Sequence, residues 1–340
     1  MRIGLIGTGR IGSFHAAALS RHRDAGSLLL ADADPARAAA LADRLGATAA
    51  PTVDAVFTWG VDAVVITCAT AGHAELIVRA ARAGLPVFCE KPVAGDLAGT
   101  VEALTAVAAA GGVLQLGFMR RFDAGCRTAR ELVRSGALGR LHTVRTTTAD
   151  PAPPPEGYLA TSGGLYRDCL VHDFDMVRWV TGQEVTEVYA TGSDAGPAQF
   201  GAAGDVSTAA ALLTLSDGTL ASCTGTRCNG AGYDVRMELA GDLDQVSTGL
   251  DDRTPIASTE PLGPPPARKP WSGFLERFAP AYEAELAAFV RLVRGEGENP
   301  CDGLEGLAAL RVAEACELSR REHRPVSLLE IPAVPGSAAA

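Results

Sequence analysis

The chain has 340 residues, 47% of them hydrophobic and 21% charged, which is enough for one large or two ordinary domains with a substantial core. Its formal net charge of −10 at pH 7 disfavours nucleic acids and anionic membrane surfaces as partners, because both are negatively charged. The sequence has no apolar run of membrane-spanning length and no signal-peptide pattern, so a cytoplasmic protein is expected.

The first predicted elements follow one another in the order strand, helix, strand. Residues 2–6 are predicted as a buried strand, residues 13–20 as a helix, and residues 27–31 as a second strand closed by Asp32. The turn between the first strand and the helix is Gly7-Thr8-Gly9-Arg10-Ile11-Gly12. Strand, glycine turn, helix, strand and terminal acid together form the fingerprint of a dinucleotide-binding Rossmann fold.

Each glycine of this turn has its own physical role. Gly7 permits the sharp turn, Gly9 lets a pyrophosphate approach the backbone, and Gly12 lets the helix pack closely on the strand. The start of the helix at Arg10 and Ile11 offers free N–H groups and a positive dipole end to phosphates. We therefore expect the pyrophosphate of a dinucleotide at residues 9–11.

Asp32 bears on the choice of cofactor. Its carboxylate can accept hydrogen bonds from the two hydroxyls of a ribose, whereas a 2′-phosphate would meet its negative charge at close range. NAD is therefore expected in preference to NADP. Arg37, five residues further on, could soften that repulsion.

Strands and helices continue to alternate as far as residue 118. Helices are predicted over 35–45, 74–83 and 97–110, and strands over 61–66, 86–89 and 113–118. The alternation predicts a parallel, doubly wound sheet, whose ligands bind at the carboxyl ends of the strands. The candidate cofactor contacts at those ends and in the adjoining loops are Gly7, Asp32, Thr67, His73, Glu90 and Lys91.

After Met119 the pattern becomes strand-rich. Helices are predicted over 129–135, 161–181, 278–294 and 303–321, and antiparallel strands over 141–148, 187–191, 207–215, 219–225 and 233–240. Such a half predicts an open sheet with one face available for a substrate or a partner. We therefore predict an NAD-binding domain over 1–119, a substrate-binding and oligomerisation domain over 120–332, and a frayed tail over 333–340.

Lys91 follows a buried strand and stands between Glu90 and Pro92. The proline favours an extended backbone at the residue before it. A lysine beside a nicotinamide site can hydrogen-bond a substrate hydroxyl and stabilise the alkoxide as it forms. The alternative is a surface lysine that merely follows a strand.

Asp168, His172 and Asp175 are spaced i, i+4 and i+7, so they would share one face of the helix predicted over 161–181. That helix is otherwise largely apolar, and its buried polar groups would need partners. A histidine flanked by carboxylates is a general base that can be tuned near neutral pH. Asp168 would fix its tautomer or relay its proton, and Asp175 would bind a substrate hydroxyl. The alternative is a hydrogen-bonded core cluster.

A metal site is a further alternative for this set, because two aspartates and one histidine can bind a divalent ion. Hydride transfer assisted by a lysine needs no metal, so none is expected. The eight cysteines form no CxxC pair, and we expect them to be reduced core side chains.

The glycine turn, Glu90-Lys91-Pro92, and Gly163-Gly164 followed by Asp168 and His172 together resemble the Gfo/Idh/MocA oxidoreductases over nearly the whole chain. The resemblance implies that Lys91, Asp168 and His172 form the catalytic set, with His172 as the base. It also implies a Rossmann domain followed by an α/β domain with an open, mainly antiparallel sheet. Such proteins often assemble as dimers or tetramers, so a homo-oligomer, with a homotetramer as one form, is expected.

Three finer stretches, residues 117–123, 150–155 and 172–175, look like the inositol 2-dehydrogenase branch of that family. This resemblance places Arg120 near the cofactor or substrate, and Asp150 and Asp175 near substrate hydroxyls. Tyr233 is a further candidate in the same pocket. Some inositol dehydrogenases carry histidine and asparagine where this chain has Thr148 and Asp150.

These observations predict an NAD-dependent dehydrogenase that oxidises a secondary hydroxyl of a cyclic polyol, myo-inositol or a related inositol, to the ketone. Three alternatives remain: a dehydrogenase of a pyranose sugar, amino sugar or aminocyclitol; a hydrolase that uses NAD for transient oxidation; and a non-catalytic NAD-binding sensor. The prediction requires Lys91 and His172 to act on one substrate carbon.

Overall fold

The computed structural model describes residues 1–332, and the predicted frayed tail over 333–340 lies outside these residues. The described chain divides into two compact units. The first comprises Met1–Phe122 and Pro280–Ala308, and the second comprises Asp123–Ala279 and the described residues from Ala309 onward. No helix within residues 1–332 has the length and apolar character needed to cross a membrane.

The first unit contains a six-stranded sheet in which all neighbouring strands are parallel, in the order β3-β2-β1-β4-β5-β6. Its strands are β1 (Arg2–Ile6), β2 (Ser27–Ala31), β3 (Thr48–Ala49), β4 (Ala63–Ile66), β5 (Val87–Glu90) and β6 (Leu114–Gly117). The helices between them are α1 (Arg10–Arg21), α2 (Pro35–Leu45), α3 (Val53–Val56), α4 (His73–Arg82) and α5 (Leu97–Ala109). The predicted doubly wound parallel sheet is confirmed.

The second unit contains a seven-stranded sheet in the order β12-β11-β7-β10-β9-β8-β13. Its strands are β7 (Leu141–Ala149), β8 (Val185–Ser193), β9 (Thr208–Leu215), β10 (Leu220–Thr226), β11 (Asp234–Gly241), β12 (Gln245–Thr248) and β13 (Val326–Ser327). All neighbouring pairs are antiparallel except β7 and β10, so the predicted mainly antiparallel sheet is also confirmed. Buried and exposed residues alternate along β9, which shows that only one face of the sheet is covered.

The remaining helices follow residue 122 in the chain. They are α6 (Ala124–Arg134), α7 (Glu156–Ser162), α8 (Val171–Thr181), α9 (Gln199–Ala202), α10 (Phe274–Arg277), α11 (Ala279–Val293) and α12 (Gly303–Glu322). A π-helical segment, Tyr166–Leu170, leads directly into α8.

The prediction of one continuous helix over 161–181 is wrong. Helix α7 ends at Ser162, and the two residues that follow, Gly163 and Gly164, have φ angles of +82° and +91°. Glycine adopts this left-handed region without the steric cost that other residues meet, so the pair ends one helix before the next begins. The i, i+4, i+7 argument therefore spans two kinds of helix, because Asp168 lies in the π-helical segment and His172 in α8.

Residues 280–308 belong to the first unit, which a division of the chain at residue 119 does not anticipate. Helix α11 contributes Leu286, Phe289 and Val290 to the core that contains Ile3 and Leu5 of β1. The sequence shows the apolar face of α11, but an apolar face does not reveal which sheet it covers.

Candidate functional site

The turn between β1 and α1 has the geometry that its glycines predict. Gly7 has a φ angle of +102°, and a Cβ atom there would lie 2.4 Å from the backbone nitrogen of Cys68. A Cβ atom on Gly12 would lie 1.8 Å from the carbonyl oxygen of Gly7. By contrast, a Cβ atom on Gly9 would meet nothing within 4 Å. Gly7 and Gly12 are therefore required by the fold, whereas Gly9 keeps the space in front of α1 open.

The N-terminus of α1 points into that space. Gly9 is the N-cap residue, and no side chain of the described residues caps it with a hydrogen bond. The first N–H groups of a helix have no partners inside the helix, and they lie at the positive end of its dipole. The start of α1 therefore suits the pyrophosphate of a dinucleotide, as the sequence predicts.

Asp32, at the end of β2, is held by the glycine turn. Its Oδ2 atom accepts hydrogen bonds from the backbone nitrogen and hydroxyl of Thr8, at 2.6 and 2.9 Å, and its Oδ1 atom accepts one from the nitrogen of Asp34 at 3.0 Å. Burial alone would raise the pKa of Asp32, but these bonds and the nearby Arg37 outweigh burial and lower it. A carboxylate has about four acceptor positions, so roughly one remains for a ribose hydroxyl, where the sequence suggests two.

Two glycine variants separate the role of the fold from the role of the ligand. We expect Gly9→Ala to keep the melting temperature of the protein while weakening NAD binding by more than about tenfold, because its methyl group fills only the open space before α1. Gly12→Ala should lower both the melting temperature and the NAD affinity, because its Cβ atom would collide with the backbone of Gly7. Calorimetric NAD titration and thermal unfolding measure the two effects. Unchanged NAD affinity in Gly9→Ala would place the pyrophosphate elsewhere.

The loops after β4 and β5 are tied together. The hydroxyl of Thr67 donates to the carbonyl oxygen of Gly7 at 2.7 Å, which joins the end of β4 to the glycine turn. His73 is buried, and its Nδ1 and Nε2 atoms lie 2.7 Å from the carbonyl oxygen of Pro92 and 3.0 Å from that of Cys68. Both predicted cofactor contacts, Thr67 and His73, therefore hold these loops in place through hydrogen bonds to backbone carbonyl groups.

Glu90 and Lys91 stand at the end of β5, and the peptide bond between Lys91 and Pro92 is cis. The Oε1 atom of Glu90 lies 2.6 Å from Nε2 of His15, a fully buried side chain of α1. Edge contacts with the rings of Phe88 and Tyr282 surround this histidine, with centroid distances of 5.5 Å each. His15 therefore anchors the residue before Lys91, a role that its place among apolar residues did not indicate.

Arg120 lies in the short 3-10 turn Met119–Phe122 that follows β6, and its side chain is buried. The neighbouring Arg121 is also buried, and its Nη2 atom donates to Oε2 of Glu305 at 3.0 Å. The turn thus lies at the carboxyl edge of the parallel sheet, and a contact of Arg120 with the cofactor or substrate stays a prediction.

In the second unit, Asp168 is held from two sides. Its Oδ1 atom accepts a hydrogen bond of 2.9 Å from the hydroxyl of Tyr158 on α7. Its Oδ2 atom accepts one of 2.7 Å from Nη2 of Arg227, which follows β10. The Nη1 atom of the same arginine lies 3.9 Å from Oδ2 of Asp150. The structure therefore brings Asp150 and Asp168 together around one guanidinium.

This cluster changes the titration of its members. Burial raises the pKa of Tyr158, and the charge of Asp168 raises it further. Burial would lower the pKa of Arg227, but its interactions with Cys169, Asp168 and Asp150 together outweigh burial and raise it. At neutral pH the tyrosine is therefore a hydrogen-bond donor and the arginine a cation.

The other predicted substrate contacts lie deeper. His172 is 8% exposed, whereas Asp175 is fully buried, which favours a core role for the aspartate. Tyr233 is buried edge-on against Phe278, with a centroid distance of 6.4 Å. Thr148 donates its hydroxyl to the buried Asp173 at 2.7 Å. Among residues 1–332, no group of three or more His, Cys, Asp or Glu side chains is arranged to hold a metal ion.

In the cluster around Asp168, the sequence argument missed Tyr158 and Arg227. Tyr158 falls in the segment after the prolines, where no helix was predicted, and α7 brings it to Asp168. Arg227 is 59 residues from Asp168 along the chain, and its side chain is only 3% exposed. The available signal was a basic residue just after a predicted strand, because an arginine that becomes buried there needs an acidic partner.

Comparison with known proteins gives matches over both units. A model of the Gfo/Idh/MocA oxidoreductase family with an NAD-binding Rossmann fold matches residues 1–118, and one of the Gfo/Idh/MocA C-terminal domain matches residues 126–246. The chain is 36% identical over 334 residues to a myo-inositol 2-dehydrogenase of Thermotoga maritima. The aligned region covers 97% of this chain and 99% of the relative.

Two solved structures are similar over nearly the whole chain. A putative myo-inositol dehydrogenase from Sinorhizobium meliloti has a TM-score of 0.89 and 36% identity, covering 96% of this chain and 99% of that one. A scyllo-inositol dehydrogenase from Lactobacillus casei, solved with bound NAD(H) and scyllo-inositol, has a TM-score of 0.86 and 29% identity, with coverage of 96% and 99%.

Proposed function

Because this chain belongs to the Gfo/Idh/MocA family of oxidoreductases, whose Rossmann fold binds NAD, we propose that it is an NAD-dependent dehydrogenase of a cyclic polyol. In this proposal a secondary hydroxyl of myo-inositol or a related inositol is oxidised to the ketone. The observation that carries the proposal is the 36% identity to the Thermotoga maritima myo-inositol 2-dehydrogenase, which extends over 97% of this chain. Such a match includes both compact units and not only the nucleotide-binding part.

The cofactor role is assigned to the first unit. The open space at Gly9 and the uncapped start of α1 would receive the pyrophosphate, and Asp32 would accept a hydrogen bond from the adenosine ribose. When bound, NAD accepts the hydride that leaves the substrate carbon.

The proton and the substrate oxygen are assigned to three side chains. His172 is the base that removes the hydroxyl proton, and Lys91 donates a hydrogen bond that stabilises the negative charge on the oxygen. Asp168 supports the reaction as a carboxylate whose two oxygens already have donors, Tyr158 and Arg227. Asp150, beside the same arginine, is a candidate acceptor for a substrate hydroxyl. We propose likewise that the protein acts as a homo-oligomer in the cytoplasm.

The preference for an inositol rests on polar complementarity. A cyclic polyol presents a hydroxyl on each carbon and little apolar surface. A wrong stereoisomer leaves buried polar groups of the protein unpaired, which discriminates more strongly than a change in apolar contact. Thr148 already donates its hydroxyl proton to Asp173. Of Thr148 and Asp150, Asp150 is therefore the more suitable partner for a substrate hydroxyl.

A substrate panel tests the proposal. Inositol isomers, pyranose sugars, amino sugars and aminocyclitols are each incubated with NAD or NADP, and the absorbance of the reduced nicotinamide is followed. We expect NAD reduction with an inositol as the best substrate. Faster reduction with another class would keep the family and change the substrate. Release of free sugar without net NADH would indicate a hydrolase, and NAD binding without any reduction would indicate a sensor.

Asp32→Asn tests the cofactor preference. Asparagine keeps an oxygen for the N–H of Thr8 but removes the charge that would repel a 2′-phosphate. We expect kcat/KM with NADP to rise relative to NAD by roughly tenfold or more, because two charges at close range in a protein repel by several kcal/mol. Asp34→Asn is the matched control, since Asp34 caps α2 and is half exposed. Equal use of NAD and NADP by the unaltered protein would contradict the assigned role.

A further inference from the structure

The carboxylate of Asp168 has a hydrogen-bond donor on each oxygen, and the donors come from different elements. Tyr158 reaches Oδ1 from α7, and Arg227 reaches Oδ2 from the end of β10. A carboxylate held at both oxygens cannot rotate without breaking a bond. The arginine bond is charge-assisted and short, so it is the stronger of the two.

Arg227 is built into the second unit and is not a surface group that happens to lie nearby. Its side chain is 3% exposed, and its backbone nitrogen donates to the carbonyl oxygen of Ser207 at 2.9 Å. Its guanidinium faces two carboxylates, Asp168 at 2.7 Å and Asp150 at 3.9 Å. Removing the arginine would take away the positive charge that faces both carboxylates, which is costly at a partly buried site.

We propose that Arg227 is a positioning residue for the dehydrogenase reaction: it fixes Asp168 as an oriented, permanently charged carboxylate, so that Asp168 supports catalysis without carrying the proton. This inference rests on the proposed function, because it presumes that Asp168 serves the reaction. It decides between the two roles that the sequence leaves open for Asp168. A proton relay would need this carboxylate to become neutral, and protonation would sacrifice its ion pair with the buried arginine.

Tyr158 completes the arrangement. Its hydroxyl is a donor at neutral pH, because burial and the charge of Asp168 both raise its pKa. The residue is 44% exposed, so its hydroxyl group can be removed with little effect on the core. Tyr158→Phe therefore removes the weaker of the two restraints on Asp168 and leaves the buried ion pair with Arg227 in place.

The experiment compares Arg227→Gln, Arg227→Lys, Tyr158→Phe, Asp168→Asn and the double variant Arg227→Gln/Asp168→Asn, with myo-inositol and NAD as the probes. Arg178→Gln is the matched control, since Arg178 is also buried and donates through Nε and Nη2 to Glu184 at 2.7 Å each. Turnover number, KM for myo-inositol, NAD affinity and melting temperature are measured for each protein.

We expect Arg227→Gln to lower kcat by about ten- to a hundredfold with a much smaller change in KM, and Arg227→Lys to recover part of the loss. Tyr158→Phe should lower kcat by roughly threefold to tenfold. The double variant should be no slower than Asp168→Asn, because the arginine acts through that carboxylate. A crystal structure of Arg227→Gln should show the Asp168 carboxylate turned away from its position beside Tyr158.

Three outcomes would overturn the inference. The first is an Arg227→Gln protein that loses melting temperature like Arg178→Gln but keeps its kcat, which would make the arginine purely structural. The second is a double variant much slower than Asp168→Asn. The third is an unmoved Asp168 in the crystal structure. Normal turnover by Asp168→Asn would instead defeat the proposed catalytic set, and the inference with it. If Arg227→Gln does not fold, Arg227→Lys and Tyr158→Phe decide the matter.

Discussion

Replacing His172 with alanine should lower the turnover number by about 10²–10⁴-fold while leaving NAD binding intact. The loss follows from the proposed role, because without the imidazole the hydroxyl proton must leave to water. NAD affinity should persist because the glycine turn and Asp32 belong to the first unit, whereas α8 belongs to the second. Steady-state kinetics with the best substrate of the panel, together with calorimetric titration of NAD, measure both quantities.

His142→Ala is the control for this variant. His142 lies on β7, and the Nδ1 atom of its exposed side chain is 2.8 Å from Oγ1 of the neighbouring Thr143. Its loss should change kcat by less than about twofold, as for most surface substitutions. Normal turnover by His172→Ala would show that another group is the base. A fall in NAD affinity equal to the fall in kcat would show that the substitution disturbs the fold.

Replacing Lys91 with methionine should lower kcat by about 10²–10³-fold, the usual consequence of losing one donor to a developing oxyanion. Methionine keeps the length and apolar stem of the side chain and removes only the ammonium. The composition of the chain supports a specific need for that ammonium. Of its 30 lysines and arginines, only Lys91 and Lys269 are lysines. A position that merely required a cation would be filled by arginine in this chain far more often than by lysine.

Lys91→Arg sharpens this prediction. The planar guanidinium cannot replace a compact ammonium at a reacting oxygen, so we expect this variant to be nearly as slow as Lys91→Met. Lys269→Arg is the matched control, since Lys269 is exposed in a segment without helix or strand. Amine-specific labelling measures the reactivity of the Lys91 ammonium without relying on turnover, because the chain has only these two side-chain amines. Full activity of Lys91→Arg would show that the reaction requires no more than a positive charge at this position.

The parts of the fold that the sequence predicts well are those set by neighbouring residues. The glycine turn is one of them, because Gly7 and Gly12 are separated by five positions and each excludes a Cβ atom for a local reason. The alternation of strands and helices up to residue 118 is another, and it is enough to predict the parallel sheet. Asp32 follows from the same pattern, although its bonds to Thr8 do not.

The parts that the sequence misses depend on contacts between distant residues. The bond between Arg227 and Asp168 joins residues 59 positions apart, and no periodicity indicates it. The pairing of His15 with Glu90 spans 75 positions and is hidden because a histidine on an apolar helix face is usually a core residue. The break at Gly163 and Gly164 was missed for a different reason. The helix predicted over 161–181 includes both glycines near its start, although glycine is more common at helix ends.

The contribution of α11 to the first unit has a consequence for synthesis. The core around Ile3 and Leu5 remains incomplete until Leu286, Phe289 and Val290 have left the ribosome. At usual translation speeds, the interval between residues 122 and 293 lasts on the order of 10 s. During that time the nascent nucleotide-binding half exposes an apolar strip to which chaperones or a second nascent chain can bind. The first unit therefore cannot complete its hydrophobic core until residues 286–290 have been synthesised, long after its own strands.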